Sequence, residues 1–241
     1  VDIWFLRGYT GFVILISIGV RMKGDILVVE QHHIDASRMI VSCILSDIPK
    51  SGRYILTISG ESGSGKSEMA KALGDELERH AIKSVILGQD DYFKLPPVSN
   101  DRQRRADADW LGPDVEVEMD LLNRHIHEAL LGADRLEKPL VDYTQDLIEQ
   151  ETIPLEGVSV VLIEGTYTAL LRRVNCRVFI ARNRLDTLEH RKKRNRGTEA
   201  GDPFIEEVLR TEHKIIAGVK YLADIVITKD YAVTFPEDIR R

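Results

Sequence analysis

Tyr54-Ile55-Leu56-Thr57-Ile58-Ser59 runs straight into Gly60-Glu61-Ser62-Gly63-Ser64-Gly65-Lys66-Ser67. The second part fits the pattern G-x-x-x-x-G-K-[ST]. Its setting fits as well, with a β-branched apolar run before it and Lys66 to His80 after it, where Met69, Ala70, Leu73 and Leu77 share one helical side. Each residue type has a physical reason. Glycines let the backbone turn sharply and aim successive N–H groups inward as an anion-binding nest, and the helix behind adds the positive end of its dipole. Lys66 can bridge the β- and γ-phosphates of a nucleoside triphosphate, and the Ser67 hydroxyl can take one coordination site on a divalent ion. ATP and Mg²⁺ are therefore the expected cofactors, bound by Gly60, Glu61, Ser62, Gly63, Ser64, Gly65, Lys66 and Ser67. The alternative is a flexible Gly/Ser turn without a ligand, and the strand and helix on either side argue against it.

Outward from the loop, short apolar runs alternate with longer helical stretches, the pattern of a parallel sheet covered by helices. Five strands are expected at Tyr54–Ser59, Ser84–Leu87, Ser159–Glu164, Arg177–Ala181 and Asp224–Thr228, each near-continuously apolar, as strands buried on both faces should be. Helices are expected at Lys66–His80, Val115–Leu131, Thr187–Arg196 and Pro203–Leu222, with a leading helix at Asp35–Leu45 packed against the rest. Lys94 to Gly112 carries two prolines and many charges with no apolar period, and reads as a long functional loop. The expected architecture is a three-layer α/β sandwich around a central parallel five-stranded sheet. Residues 51–241 would form one domain, 22–50 a leading helical segment and 1–21 an N-terminal extension, with Met22 the expected natural start.

The composition narrows the partners. In 241 residues, 39 acidic side chains against 33 Lys plus Arg give a net charge of −6, which argues against a general nucleic-acid or anionic-membrane binder. The apolar run Phe12–Val20 is too short to span a bilayer and lacks a basic leader. The two cysteines, Cys43 and Cys176, have no metal-ligand spacing and read as buried reduced thiols, which suits the cytoplasm.

A phosphate loop of this kind needs a carboxylate at a neighbouring strand end to order the metal shell, and Val160-Val161-Leu162-Ile163-Glu164-Gly165 supplies Glu164. A second acidic strand end is Val85-Ile86-Leu87-Gly88-Gln89-Asp90-Asp91-Tyr92-Phe93. A carboxylate there can accept the proton of an attacking hydroxyl, so Asp90 or Asp91 is the candidate base. Adjacent side chains of an extended segment point to opposite faces, so only one of the two can enter the crevice. The other should turn to the magnesium waters or to a neighbouring helix. An ordinary turn cap is the plain alternative for both acids.

With Gln89-Asp90-Asp91-Tyr92-Phe93, Pro139-Leu140-Val141-Asp142-Tyr143, Ile163-Glu164-Gly165 and Lys220-Tyr221-Leu222-Ala223-Asp224 added to the loop, residues 53–228 resemble the uridine kinase and phosphoribulokinase family of P-loop kinases. The resemblance implies an ATP-dependent kinase that phosphorylates a hydroxyl of a small molecule, with Asp90 as catalytic base and Glu164 on magnesium. Asp91 stands where the family usually has Ser. Around the acceptor it implies contacts from Asp91, Tyr92, Phe93, Asp109, Asp142 and Tyr143, with Phe93 in the place of the aromatic that touches a nucleoside base. It also implies an arginine-rich lid, matched by Glu189 to Gly197, in which Arg191 and Arg194 would stabilise the transferring phosphoryl group and Arg196 would bind the nucleotide. Two departures bear on the acceptor. Val141 and Asp146 stand where uridine kinases place a tyrosine and a histidine, and Leu111 stands where the family has an acid for ribose hydroxyls, with Asp109 close by. A sugar phosphate, a glycerate or a pantothenate-like alcohol is therefore the alternative acceptor, and a regulatory P-loop NTPase is the alternative of another class. A homo-oligomer is left open.

Overall fold

In a computed structural model, residues 27–183, 186–187 and 202–236 are described. The expected extension 1–21, most of the expected helix at 187–196, and Arg191, Arg194 and Arg196 lie outside them. The apolar runs form strands buried on both faces: every residue of β1 (Tyr54–Gly60) and of β5 (Val160–Glu164) is buried. They stand side by side in a sheet ordered β2 (Ser84–Gly88), β5, β1, β6 (Cys176–Ile180), β7 (Ile225–Ile227) and β8 (Val233–Thr234). The first five of these run parallel. The sixth, β8, pairs antiparallel with β7, so the sheet has six strands where five were expected.

Alternation along the strands sends side chains to two opposite cores. On one side Leu56, Ile58 and Leu162 meet Met69, Leu73 and Leu77 of α2 (Lys66–Arg79), together with Ile40, Val41 and Ile44 of α1 (Gln31–Ile44). On the other, Ile55, Val161 and Ile163 meet Leu122 and Ile126 of α5 (Met119–Leu130) and Leu136 and Ile153 of a separate hairpin. That hairpin, β3 (Arg135–Asp142) with antiparallel β4 (Leu147–Pro154), was not expected from the sequence. Its charged residues and Pro139 hide the strand pattern, and each strand pairs along only one edge.

Four other expectations change. The supposed loop at 94–112 contains α3 (Pro97–Ala106), a helix with Asn100 as its one buried residue, so no apolar stripe announces it. The helix expected over 115–131 is broken. α4 (Pro113–Glu116) stops where Val117 turns extended and bridges Phe93, and α5 begins at Met119. The C-terminal helix α6 (Pro203–Ala217) ends before a separate 3₁₀ turn at Lys220–Leu222. Cys43 is exposed, and only Cys176 is a buried thiol. No helix among the described residues is long and apolar enough to cross a membrane.

Candidate active site

Strand register sets the site. Glu164 at the end of β5 lies opposite Ile58 of β1 and Gly88 of β2, so the glycine loop after β1 and the turn Gln89–Tyr92 after β2 flank one carboxylate. This is the carboxyl edge of a parallel sheet, where ligands of such folds bind.

The loop Gly60–Ser67 folds tightly because its glycines permit it. At Gly60, with φ 154°, a Cβ would lie 2.8 Å from Ser64 Oγ and 2.9 Å from the Ile180 carbonyl oxygen. Lys66 Nζ donates to the Glu61 carbonyl across the loop at 3.0 Å. Ser64 Oγ is buried and makes no hydrogen bond to the described residues. A hydroxyl left over inside a nest of backbone N–H groups suits a phosphate oxygen, so these residues fit a triphosphate. The Ser67 hydroxyl donates to Glu164 Oε1 at 3.2 Å, an all-oxygen pair of the kind a hard divalent cation takes. Glu164 is buried, and burial followed by the negative charge of Asp90 pushes its carboxyl up to about 7 against the pull of Lys66 and Ser67. A cation there would relieve both causes. Gly165 explains why a glycine follows this acid: a Cβ would fall 2.3 Å from Gln89 Cβ. The close approach lets Gln89 Oε1 accept the Tyr167 N–H at 2.7 Å and lock the ends of β2 and β5 together.

The two aspartates do separate, but not by strand alternation: both lie on the 3₁₀ turn Gln89–Tyr92, whose three residues per turn set neighbouring side chains about 120° apart. Asp90 stays on the crevice side, where the Tyr143 hydroxyl points to its Oδ2 at a long 3.4 Å. Asp91 turns to the hairpin rather than to metal waters or a helix. It is buried, with Lys138 Nζ 2.5 Å from Oδ2 and the Val141 N–H donating to Oδ1 at 3.0 Å. Burial raises its carboxyl above the ordinary range, and Lys138 opposes that shift.

The expected acceptor contacts divide in the same way. Phe93 is partly buried beside Arg104, whose guanidinium carbon is 5.7 Å from the ring centroid. Tyr92 is wholly buried in the core, its hydroxyl 2.8 Å from His125 Nδ1, which removes it from an acceptor pocket. Asp142 is buried and closes the hairpin turn, accepting from the Thr144 N–H at 2.8 Å and the Thr144 hydroxyl at 2.6 Å. Asp109 is exposed on a 3₁₀ turn, with its N–H donating to Asp107 Oδ1. Asp146, at the hairpin turn with φ 51°, caps α3 by accepting the Val98 N–H at 2.7 Å and the Ser99 hydroxyl at 2.7 Å.

Sequence reasoning missed the grip of α6 on the phosphate loop. Glu212 Oε2 accepts the Ser62 hydroxyl at 3.3 Å, and His213 Nδ1 lies 2.6 Å from Glu61 Oε1. The start of α6 is tied to α3 through Arg105, which donates to Asp202 at 2.6 Å and lies 4.4 Å over the Phe204 ring. A Glu-His pair in an amphipathic helix carries no sequence signal of such a contact.

Comparison with known proteins agrees with the fold and identifies the family. The profile of the Phosphoribulokinase / Uridine kinase family matches residues 55–184. A uridine kinase of Bacillus cytotoxicus is 32% identical over 188 residues, covering 72% of this chain and 84% of that one. The bifunctional alpha-galactosidase/sucrose kinase AgaSK of Mediterraneibacter gnavus is 29% identical over 192 residues, covering 75% of this chain but only 20% of that protein. Among solved structures, the D-glycerate 3-kinase of Cryptococcus neoformans var. grubii superposes with a TM-score of 0.53 at 14% identity, covering 85% of this chain and 98% of that one, a likeness of fold. The chain thus belongs to the phosphoribulokinase/uridine kinase family of ATP-using phosphotransferases that act on a hydroxyl group.

Proposed function

We propose that the chain moves the γ-phosphate of Mg²⁺-bound ATP to a hydroxyl of a small molecule held between Asp90, α3 and the β3–β4 hairpin. The observation that carries this reading is the position of Asp90. It stands beside Glu164 at the carboxyl edge, near enough that its charge is felt in the Glu164 carboxyl. The hairpin reaches it through a long 3.4 Å hydrogen bond from the Tyr143 hydroxyl, whereas Asp91 is held by Lys138 Nζ at 2.5 Å. Lys66 and the backbone of Gly60–Ser67 would hold the phosphates, and Ser67 with Glu164 would hold the metal. A bound magnesium ion would offset the charge that develops on the phosphoryl oxygens. Asp90 accepts the hydroxyl proton as the acceptor oxygen bonds the γ-phosphorus and ADP departs with the bridging oxygen. Arg191 and Arg194 would stabilise the spread negative charge, with Arg196 on the nucleotide.

The relatives named above act on a nucleoside and a sugar, and both kinds of acceptor stay open for this chain. We take residues 51–241 as the kinase domain and the cytoplasm as its place of action, with neither nucleic acid nor membrane as partner. The test is ADP release from the full chain with and without added alcohols. Release should depend on an acceptor and vanish in Lys66→Ala, which removes charge from the phosphate site and no packing from the core. Turnover equal with and without any alcohol would favour a regulatory NTPase instead.

A further inference from the structure

The acceptor side of the crevice contains a charged cluster that the roles above do not use. Arg104, on α3, places Nε and Nη2 each 2.7 Å from Glu116 Oε2, and Nη2 also lies 3.8 Å from Glu212 Oε1. Glu116 is fully buried and held on every side: Oε1 accepts the Gly112 N–H at 3.0 Å, and Asn100 Nδ2 donates to Oε2 at 3.1 Å. Glu212 reaches the other way, to Ser62 of the phosphate loop. The guanidinium therefore hangs between the acceptor helix α3 and the ATP cradle, beside Phe93, with 17% of the side chain exposed.

A guanidinium is a rigid planar fork. With the Nε and Nη2 edge turned to Glu116, the Nη1 edge must face away from it. Charge decides what that edge can receive. Two buried carboxylates, Glu116 and Glu212, already answer this one arginine. An incoming phosphate or carboxylate would meet repulsion with little net attraction, whereas a hydroxyl oxygen can accept an N–H at no such cost.

Resting on the kinase reading, we propose that Arg104 is the acceptor-binding residue that sets specificity, donating from Nη1 to an uncharged oxygen, and that the acceptor is a neutral polyhydroxyl compound rather than a phosphorylated or carboxylated one. The guanidinium is oriented in advance by Glu116. The α3 helix that carries it is fixed at one end by Asp146 and at the other by the Arg105–Asp202 pair.

The test is ADP release by the full chain with uridine, sucrose and fructose against D-glycerate and fructose 6-phosphate. The best neutral acceptor should exceed every anionic one in kcat/KM by about 100-fold or more. Arg104→Lys keeps the charge and loses the fork, so it should raise the acceptor KM roughly tenfold while leaving the ATP KM within about twofold. Preference for D-glycerate or fructose 6-phosphate would overturn the proposal, as would an unchanged acceptor KM in the variant. If Arg104→Lys melts early because two buried carboxylates lose their partner, the screen on the unaltered chain decides alone. Stimulation by none of the five compounds would overturn it too. ADP release that is equally fast with no alcohol at all would instead be the separate failure of the kinase reading.

Discussion

Replacing Asp91 by asparagine keeps the side-chain shape and removes its charge, which isolates what the pair with Lys138 contributes. Lys138 is only 2% exposed, and after the change its ammonium keeps the Pro139 carbonyl at 2.9 Å and the more exposed Glu151 at 3.3 Å. Removing one partner of a buried ion pair typically costs about 3–5 kcal/mol, and these surviving contacts place the loss near about 3 kcal/mol. For a chain of this size each kcal/mol moves the melting midpoint by about 2–4 °C, so Asp91→Asn should melt about 6–12 °C lower. The Val141 N–H keeps its acceptor, because the asparagine Oδ1 can replace the carboxylate oxygen. The double variant Asp91→Leu/Lys138→Met, with both charges gone, should recover most of the loss. Circular dichroism melts of the three proteins measure this. A melting point within about 2 °C of the parent, together with a raised magnesium requirement for turnover, would refute the ion-pair account and return Asp91 to the metal shell.

Asp90→Asn should lose about 10²- to 10⁴-fold in turnover at saturating ATP with nucleotide affinity little altered, and equal rate losses at Asp90 and Asp91 would dismiss the base assignment. Glu164 gives a pH signature. Burial and the Asp90 charge raise its carboxyl to about 7, so the folded chain retains a proton that the unfolded chain has already released. Its contribution to stability is complete below the unfolded value, about 4.5, and declines as pH rises through about 7. Metal-free protein should therefore melt lower at pH 8 than at pH 5 by a margin that Glu164→Gln reduces, and an identical margin in the variant would assign the effect to other groups.

The parallel sheet and the cradle were legible because both depend on local rules: apolar runs of strand length, and glycines followed by Lys-Ser. Glu164 was legible through the register that a strand before a glycine implies. The hairpin was not, since Lys138 and Asp142 are buried polar residues whose partners lie about fifty positions away or within the turn itself. Nor was α3, because its helix is secured by a cap from Asp146 and by polar contacts of Asn100 and Arg104 rather than by an apolar stripe. Glu116 escaped notice for the same reason. Its acid, two residues beyond Pro-Asp start to finish of α4, gains meaning only once Arg104 folds back onto it.

Helix α1 lies outside the stretch that the family profile matches, yet it is built into the same core. Ile40, Val41 and Ile44 are buried against α2, and at roughly 1.5–3 kcal/mol for each large apolar side chain they contribute roughly 5–9 kcal/mol, on the scale of an entire domain's stability. At its other end His33 Nε2 stands 3.2 Å from where a Cβ on Gly65 would be, so the helix also backs the start of α2. The length of chain that the family profile matches is therefore shorter than the length that shares this core. Evolution can exchange the first while physics holds the second together, and a fragment cut at the kinship boundary would expose one flank of α2 to water.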